Sequence, residues 1–252
     1  MKVKLLSAWF GPKPDWWTKF VTQMDRFDLV DWECLPPEHV PQEHQIGWMN
    51  AVTGNALGLD CRKATDYDQQ WDGPQAMCDF RPCYGEVFAD RYAGCDWWGW
   101  LDLDMLLGDL DGLLPALLIG DVDCLNFKPK YLSGCLAIFR NVPFTRSLFR
   151  YSSRWEEVMS DARYHCWDES GYKHMGIEES FWTLVKANLR VKQAEHLYGY
   201  QTKAEPNPVE LVDGKLFDVT TGEERLFCHF MSDRWPINAD GSARQGRMRR
   251  RR

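Results

Sequence analysis

Hydrophobic and polar positions alternate in blocks along this chain, and the blocks predict strands interleaved with helices. "KVKLLSAWF" reads as a first strand, ended by the breakers of "GPKPD". Asp15 is placed to cap a helix through "WWTKFVTQM". "FDLVDWECL" predicts a second strand, the Pro-rich "PPEHVPQEH" a loop, and "QIGWMNAVTGNALG" a short helix with a glycine stop. "PCYGEVFADRYAG" predicts a helix, with Tyr84, Val87, Phe88 and Arg91 at 3.6-like spacing. "CDWWGWLDLD" is a buried strand that ends in acids, and "DVDCLNF" and "LSGCLAIFR" are two more strands. "PFTRSLFRYSSRWEEVMSDA" predicts one long amphipathic helix and "IEESFWTLVKANL" another; "RVKQA" and "LFCHFMS" close the series as strands. This alternation predicts an α/β fold with a mixed, mainly parallel sheet flanked by helices. No internal repeat and no linker interrupt it before about residue 236, so one domain over 1–236 and a basic, flexible tail over 237–252 are expected.

Composition narrows the class. In a 252-residue chain, 44% hydrophobic and 14% aromatic residues exclude general disorder. Thirteen Trp are mostly expected in core and rim packing, though an indole also stacks on flat rings and sugar faces. No run of ~18 apolar residues suggests a membrane span, and the apolar part of "MKVKLLSAWFG" is too short for a signal peptide. The nine Cys are odd in number and form no CxxC pair, which argues for reduced thiols in a cytoplasm-like compartment and against a zinc site. The net charge of −7 is uneven: "ADGSARQGRMRRRR" at the C-terminus carries six Arg against one Asp, which leaves about −12 on the rest. Such a tail could touch nucleic acid, an anionic membrane surface or an acidic polymer; it could equally be a solubility feature or a cloning remnant.

The chemistry centres on "WWGWLDLDMLLGDLDGLL". Ionised carboxylates among apolar residues cost several kcal/mol unless a cation or hydrogen bonds compensate them. In an extended segment, residues i and i+2 point the same way, so Asp102 and Asp104 converge while Leu103 faces the core. Ligands of open α/β sheets sit at the carboxyl ends of strands, where this pair falls. A hard divalent cation takes such oxygens and can bridge to a diphosphate. An EF-hand loop is excluded, because its required positions fall on Leu106, Leu107 and Leu113. An aspartyl-phosphate hydrolase fits poorly, with Met105-Leu106 where a small hydroxyl residue belongs. Asp109 and Asp111 read as turn and cap residues facing water.

The order "CDFRPCYGEVFADRYAGCDWWGWLDLDMLLGDL", with "LLSAWFGPKPDWW" before it and "LSGCLAIFRN", "CWDES" and "FCHF" after it, resembles a bacterial and phage family of uncharacterised, glycosyltransferase-like proteins. The resemblance spans about residues 3–232; Trp100 ahead of the DxD and Arg81 in place of a more usual Lys depart from the pattern. It implies a GT-A-type, Rossmann-like domain that holds Mn²⁺ or Mg²⁺ and a UDP- or GDP-sugar. It further implies Asp104 as a direct metal ligand, Asp102 on the metal or the ribose, and His229 as a third ligand. The end of the first strand (Ser7, Ala8, Trp9, Phe10) would meet the nucleotide base. Asp79 and Arg81 would bind base, ribose or diphosphate, or form only an ion pair at a helix entry. Ser133-Gly134 would admit a sugar close to the backbone. If the reaction inverts the anomeric centre, Asp168 and Glu169 are the first candidates for general base, with Glu178 and Glu179 second. His165 and His174 are expected at the surface. The implied activity is transfer of a sugar to a hydroxyl acceptor, on a glycan or surface polysaccharide or on a hydroxymethylated base in phage DNA. A nucleotide-sugar-binding module without turnover and a metal-dependent phosphohydrolase are the alternatives.

Overall fold

The computed structural model describes residues 1–61, 73–170, 179–201, 208–230, 236–239 and 241–242. Twelve strands occur among them: β1 Val3–Ala8, β2 Val30–Leu35, β3 Trp97–Leu101, β4 Met105–Leu107, β5 Cys124–Asn126, β6 Leu136–Arg140, β7 Val191–Gln193, β8 Tyr198–Gln201, β9 Val209–Val212, β10 Lys215–Asp218, β11 Glu224–Arg225 and β12 Phe227–Phe230. Six of them form the central sheet in the order β2-β1-β3-β6-β5-β7. Pairings β1–β2, β1–β3 and β5–β7 are parallel, whereas β6 runs antiparallel to both β3 and β5. The fold is therefore α/β with a mixed, mainly parallel sheet, as the pattern predicts. β4-β12-β8 form a second sheet beside the end of β3, and β11-β10-β9 a third, antiparallel one.

The period-2 pattern of β3 explains its place at the centre. Trp97 and Leu101 join one buried cluster, while Trp98 and Trp100 join the cluster on the other face. A strand buried on both faces reads as a continuous apolar run, which is what "WWGWL" is. Gly99 in the middle is obligatory, since a Cβ there would lie 2.2 Å from the Ala137 carbonyl oxygen of β6. Helix Trp17–Met24 then pins the second sheet through one buried side chain. Gln23 donates from Nε2 to the Met105 oxygen at 2.7 Å and accepts from the Leu107 nitrogen at 3.0 Å.

Several local expectations are corrected. Asp15 caps nothing: the helix starts at Trp17, and its N-cap, Trp16, makes no side-chain capping bond. The long helix from Pro143 is three short pieces, Pro143–Arg146, Leu148–Tyr151 and Trp155–Ser160. Hydroxyls compete for the backbone there: Ser147 Oγ donates to the Pro143 oxygen at 2.9 Å, and Ser152 Oγ accepts from the Arg154 nitrogen at 3.0 Å. The helix in "PCYGEVFADRYAG" covers only Tyr84–Val87 before turns carry the chain to Gly94. Helix Gln45–Leu57 does end at a left-handed glycine, Gly58. Ile237 packs into the core and the Gly241 oxygen accepts from the Leu211 nitrogen at 2.9 Å; residues 243–252, with all six arginines of the tail, lie outside the described residues. All nine cysteines are free, and no helix among the described residues is long and apolar enough to cross a membrane.

Candidate metal centre and its polar surround

The parallel strands β1, β3 and β5 all finish at one edge of the central sheet, and the antiparallel β6 begins there. After Leu101 the chain bends. The Asp102 nitrogen donates to the Cys135 oxygen at 2.7 Å, and the Asp104 oxygen accepts from the Phe230 nitrogen at 2.9 Å. These bonds anchor the DxD backbone to β6 on one side and β12 on the other, while Leu103 turns into the core at 2% exposure. His229 lies in register with Met105 in the β4–β12 pairing, which delivers its ring to the two acids. Its Nε2 lies 3.1 Å from Asp104 Oδ1 and 3.9 Å from Asp102 Oδ2. One ligand atom from each of Asp102, Asp104 and His229 can be chosen so that all lie within 4.8 Å of one another. Donors around one cation at 2.0–2.6 Å are at most about twice that distance apart, ~4–5 Å. Two carboxylates and an imidazole also suit manganese or magnesium better than a soft metal.

Arg81 braces this cluster from behind. One of its terminal nitrogens bonds Asp102 Oδ1, and the other donates to Asp168 Oδ2 at 3.1 Å and to the Gly134 oxygen at 2.6 Å. Arg81 thereby occupies one oxygen of Asp102, and the other, Oδ2, is the one nearest His229. Asp168 is fully buried and its Oδ1 has no hydrogen-bond partner; burial holds its carboxyl well above the ordinary range, against the pull of Arg81. Burial also raises Asp102 and Glu169, again opposed by Arg81. For His229 burial favours the neutral ring, but neighbouring Cys135 and Asp104 outweigh it and hold the imidazole well above its usual value.

The other expected site residues fall into distinct places. Asp79 is wholly buried, and its carboxylate accepts from the backbone nitrogens of His165 at 2.9 Å and Trp167 at 2.7 Å. It thus fixes the turn that carries Asp168 and Glu169, in place of the helix-entry ion pair with Arg81. Gly134 meets Glu169: its nitrogen donates to Glu169 Oε1 at 3.1 Å, and a Cβ on Gly134 would lie 2.0 Å from that oxygen. The close approach its lack of a side chain permits here is that of a carboxylate. Ser133 is buried, with its nitrogen bonded to Asn126 Oδ1 and its hydroxyl 3.3 Å from the Cys135 sulfur. Ser7 ties three strands together, donating to the Leu101 oxygen at 2.5 Å and accepting from Trp32 Nε1 at 2.7 Å. Ala8, Trp9 and Phe10 are half-buried at the end of β1, and Trp9 packs edge-on against Trp16.

His165 is a correction, since it is buried at 2% exposure because its backbone is drawn inward by Asp79. Asp111 is another: its carboxylate accepts from the Asp28 and Leu29 nitrogens and does not simply face water. Asp109 is the N-cap of helix Leu110–Leu118, accepting from Gly112. Glu179 is half-buried just before helix Phe181–Asn188; Glu178 and His174 lie outside the described residues.

Fold and site together define a mixed α/β protein with a candidate divalent-cation centre at the carboxyl edge of its sheet. The chain belongs to the family of unknown function DUF6625, whose profile matches residues 5–238. No curated protein matches the sequence. Among solved structures the chain is similar to a glycosyltransferase involved in the glycosylation of the major capsid of PBCV-1. That likeness has 9% identity and a TM-score of 0.47, and it covers 91% of this chain and 93% of the other.

Proposed function

We propose that this protein is a metal-dependent glycosyltransferase of GT-A type, which moves a sugar from a nucleotide-diphosphate donor to a hydroxyl of a glycan acceptor. The observation that carries the reading is the meeting of Asp102, Asp104 and His229 within 4.8 Å at the carboxyl edge of the sheet. Asp104, the free oxygen of Asp102 and Nε2 of His229 would hold Mn²⁺ or Mg²⁺. When bound, such a cation stabilises the negative charge that develops on a departing diphosphate. Arg81 keeps Asp102 oriented through its other oxygen. Of the two expected bases, Glu169 is the better placed, because Asp168 is fully buried and bonded to Arg81. Glu169 is only part-buried, and its raised pKa, caused first by burial, suits a group that takes a proton from an acceptor hydroxyl. The nine free cysteines support a reducing, cytoplasm-like compartment.

The test is turnover of a panel of UDP- and GDP-sugars with and without Mn²⁺, with metal affinity measured by calorimetry. Wild type should bind Mn²⁺ and hydrolyse or transfer at least one donor in a metal-dependent way. Asp104→Ala should lose both properties; full activity in that variant refutes the reading. Donor binding without any turnover would leave a binding module in place of an enzyme.

A further inference from the structure

Near the acidic cluster stands a cation with no acidic partner among the described residues. Lys128 lies two residues past the end of β5, at the same sheet edge as the DxD. Its Nζ lies 3.4 Å from the ring centre of Tyr198, 5.3 Å from that of Tyr200 and 5.8 Å from that of Tyr131. Among the described residues no carboxylate lies within ion-pair distance of it. The cage is built from two directions. Buried Asn126 donates from Nδ2 to the Lys128 and Tyr131 oxygens at 2.6 and 2.9 Å while its Oδ1 accepts from Ser133, which fixes the loop. Tyr198 and Tyr200 project two residues apart from β8 and stack on each other at 6.0 Å. Tyr200 in turn lies opposite His229 in the β8–β12 pairing, with ring centroids 6.0 Å apart. The ammonium and the candidate metal ligand therefore share one aromatic neighbour.

A half-buried ammonium against the faces of tyrosine rings meets no lone-pair acceptor on those faces, so they leave its N–H donors unused. Burial accordingly pushes Lys128 below its ordinary pKa. Cation–π contact holds the charge in place but leaves those donors for an anion. We infer that Lys128, held by Tyr131, Tyr198 and Tyr200, is a binding residue for a phosphate group of the ligand whose metal would sit on Asp102, Asp104 and His229. The inference rests on the proposed reading for its neighbour and adds a second positive contact for the diphosphate.

Lys128→Met keeps the apolar stem and removes the charge, so it separates ligand binding from packing. Inorganic pyrophosphate is the probe, titrated into the full chain with and without Mn²⁺. In the presence of Mn²⁺ the variant should bind pyrophosphate about tenfold or more weakly, the worth of a charge-assisted contact. Its Mn²⁺ affinity and its Tm should match or exceed those of wild type, because a charge in an apolar cage is removed. Unchanged pyrophosphate affinity, or no pyrophosphate binding by wild type, overturns the inference while leaving Mn²⁺ binding and donor turnover to be judged separately. If wild type binds no Mn²⁺, the proposed reading falls. The metal-free titration at millimolar pyrophosphate then decides Lys128 alone, by whether Lys128→Met abolishes that binding.

Discussion

Replacing Asp79 should be among the most costly single changes near the site, although Asp79 touches neither acid of the DxD. Its carboxylate is wholly buried and accepts two backbone N–H groups, from His165 and Trp167, some ninety residues away in sequence. Hydrogen bonds to a charged group contribute about 1.5–3 kcal/mol each, and removing the acceptor strands both donors away from water. Asp79→Ala should therefore cost about 3–6 kcal/mol, a large share of the ~5–15 kcal/mol by which a domain is usually stable. Asp79→Asn keeps the volume and one acceptor, so it should cost about half as much. Denaturant unfolding measures the loss, and hydrogen exchange at the His165 and Trp167 amides locates it. A loss below about 1 kcal/mol with unchanged protection at those two amides would refute the argument.

Gly134→Ala would drive a methyl into the carboxylate of Glu169; the flexible acid should swing away at a cost of about 1–2 kcal/mol, while the proposed turnover falls by about 10²–10⁴. Near-native turnover in a well-folded Gly134→Ala protein would remove Glu169 from the reaction. Asp111→Ala frees the Asp28 and Leu29 nitrogens ahead of β2 and should lower stability by about 1 kcal/mol, read as a shift in denaturant midpoint with donor turnover unaltered. Burial pushes the Cys34 thiol up to about 12, so at pH 8 it holds about a thousandfold less thiolate than an ordinary cysteine. Iodoacetamide labelling followed by mass spectrometry should find Cys34 nearly unmodified when a free thiol has fully reacted.

What could be read from the chain is what depends on local period. β3 announces itself because it is apolar on both faces, and the Asp102/Asp104 pair because i and i+2 share a direction. Gly58 stops its helix where a left-handed glycine is needed. What could not be read depends on partners far along the chain. β4 is three residues long and is held by its pairing with β12, and β8 joins the same strand from the other side. The segment after Pro143 carries a helical apolar spacing, yet Ser147 and Ser152 take backbone groups that a continuous helix needs. Asp79 and Arg81 look like local partners in "DFRP", but tertiary contacts separate them: one acid is spent on the 165–167 backbone, and the guanidinium reaches Asp102, Asp168 and Gly134. Lys128 carries no sequence signal of its own, because two of its three rings, Tyr198 and Tyr200, arrive some seventy residues later on β8; the alternation in "YGY" is the trace they leave.

The charge balance at the sheet edge explains why these parts occur together. Among the described residues, Asp102 and Asp168 pair with Arg81, Asp104 meets His229, and Glu169 accepts from the Gly134 nitrogen. Arg81 answers one oxygen of Asp102 and one of Asp168, and burial raises the pKa of three of the four acids. Such a group of acids is stable only when it keeps protons or gains positive charge. On the proposed reading, a divalent cation on Asp102, Asp104 and His229 would supply that charge where it is short, and a diphosphate on the same cation would bring fresh negative charge to the edge. A further cation near the cluster and not paired with its acids would then offset the phosphate charge. Had Lys128 reached Glu169 as an ion pair, both groups would be spent. On the inference drawn above, the tyrosine rings that hold the ammonium would leave Lys128 for an incoming phosphate and Glu169 for a proton.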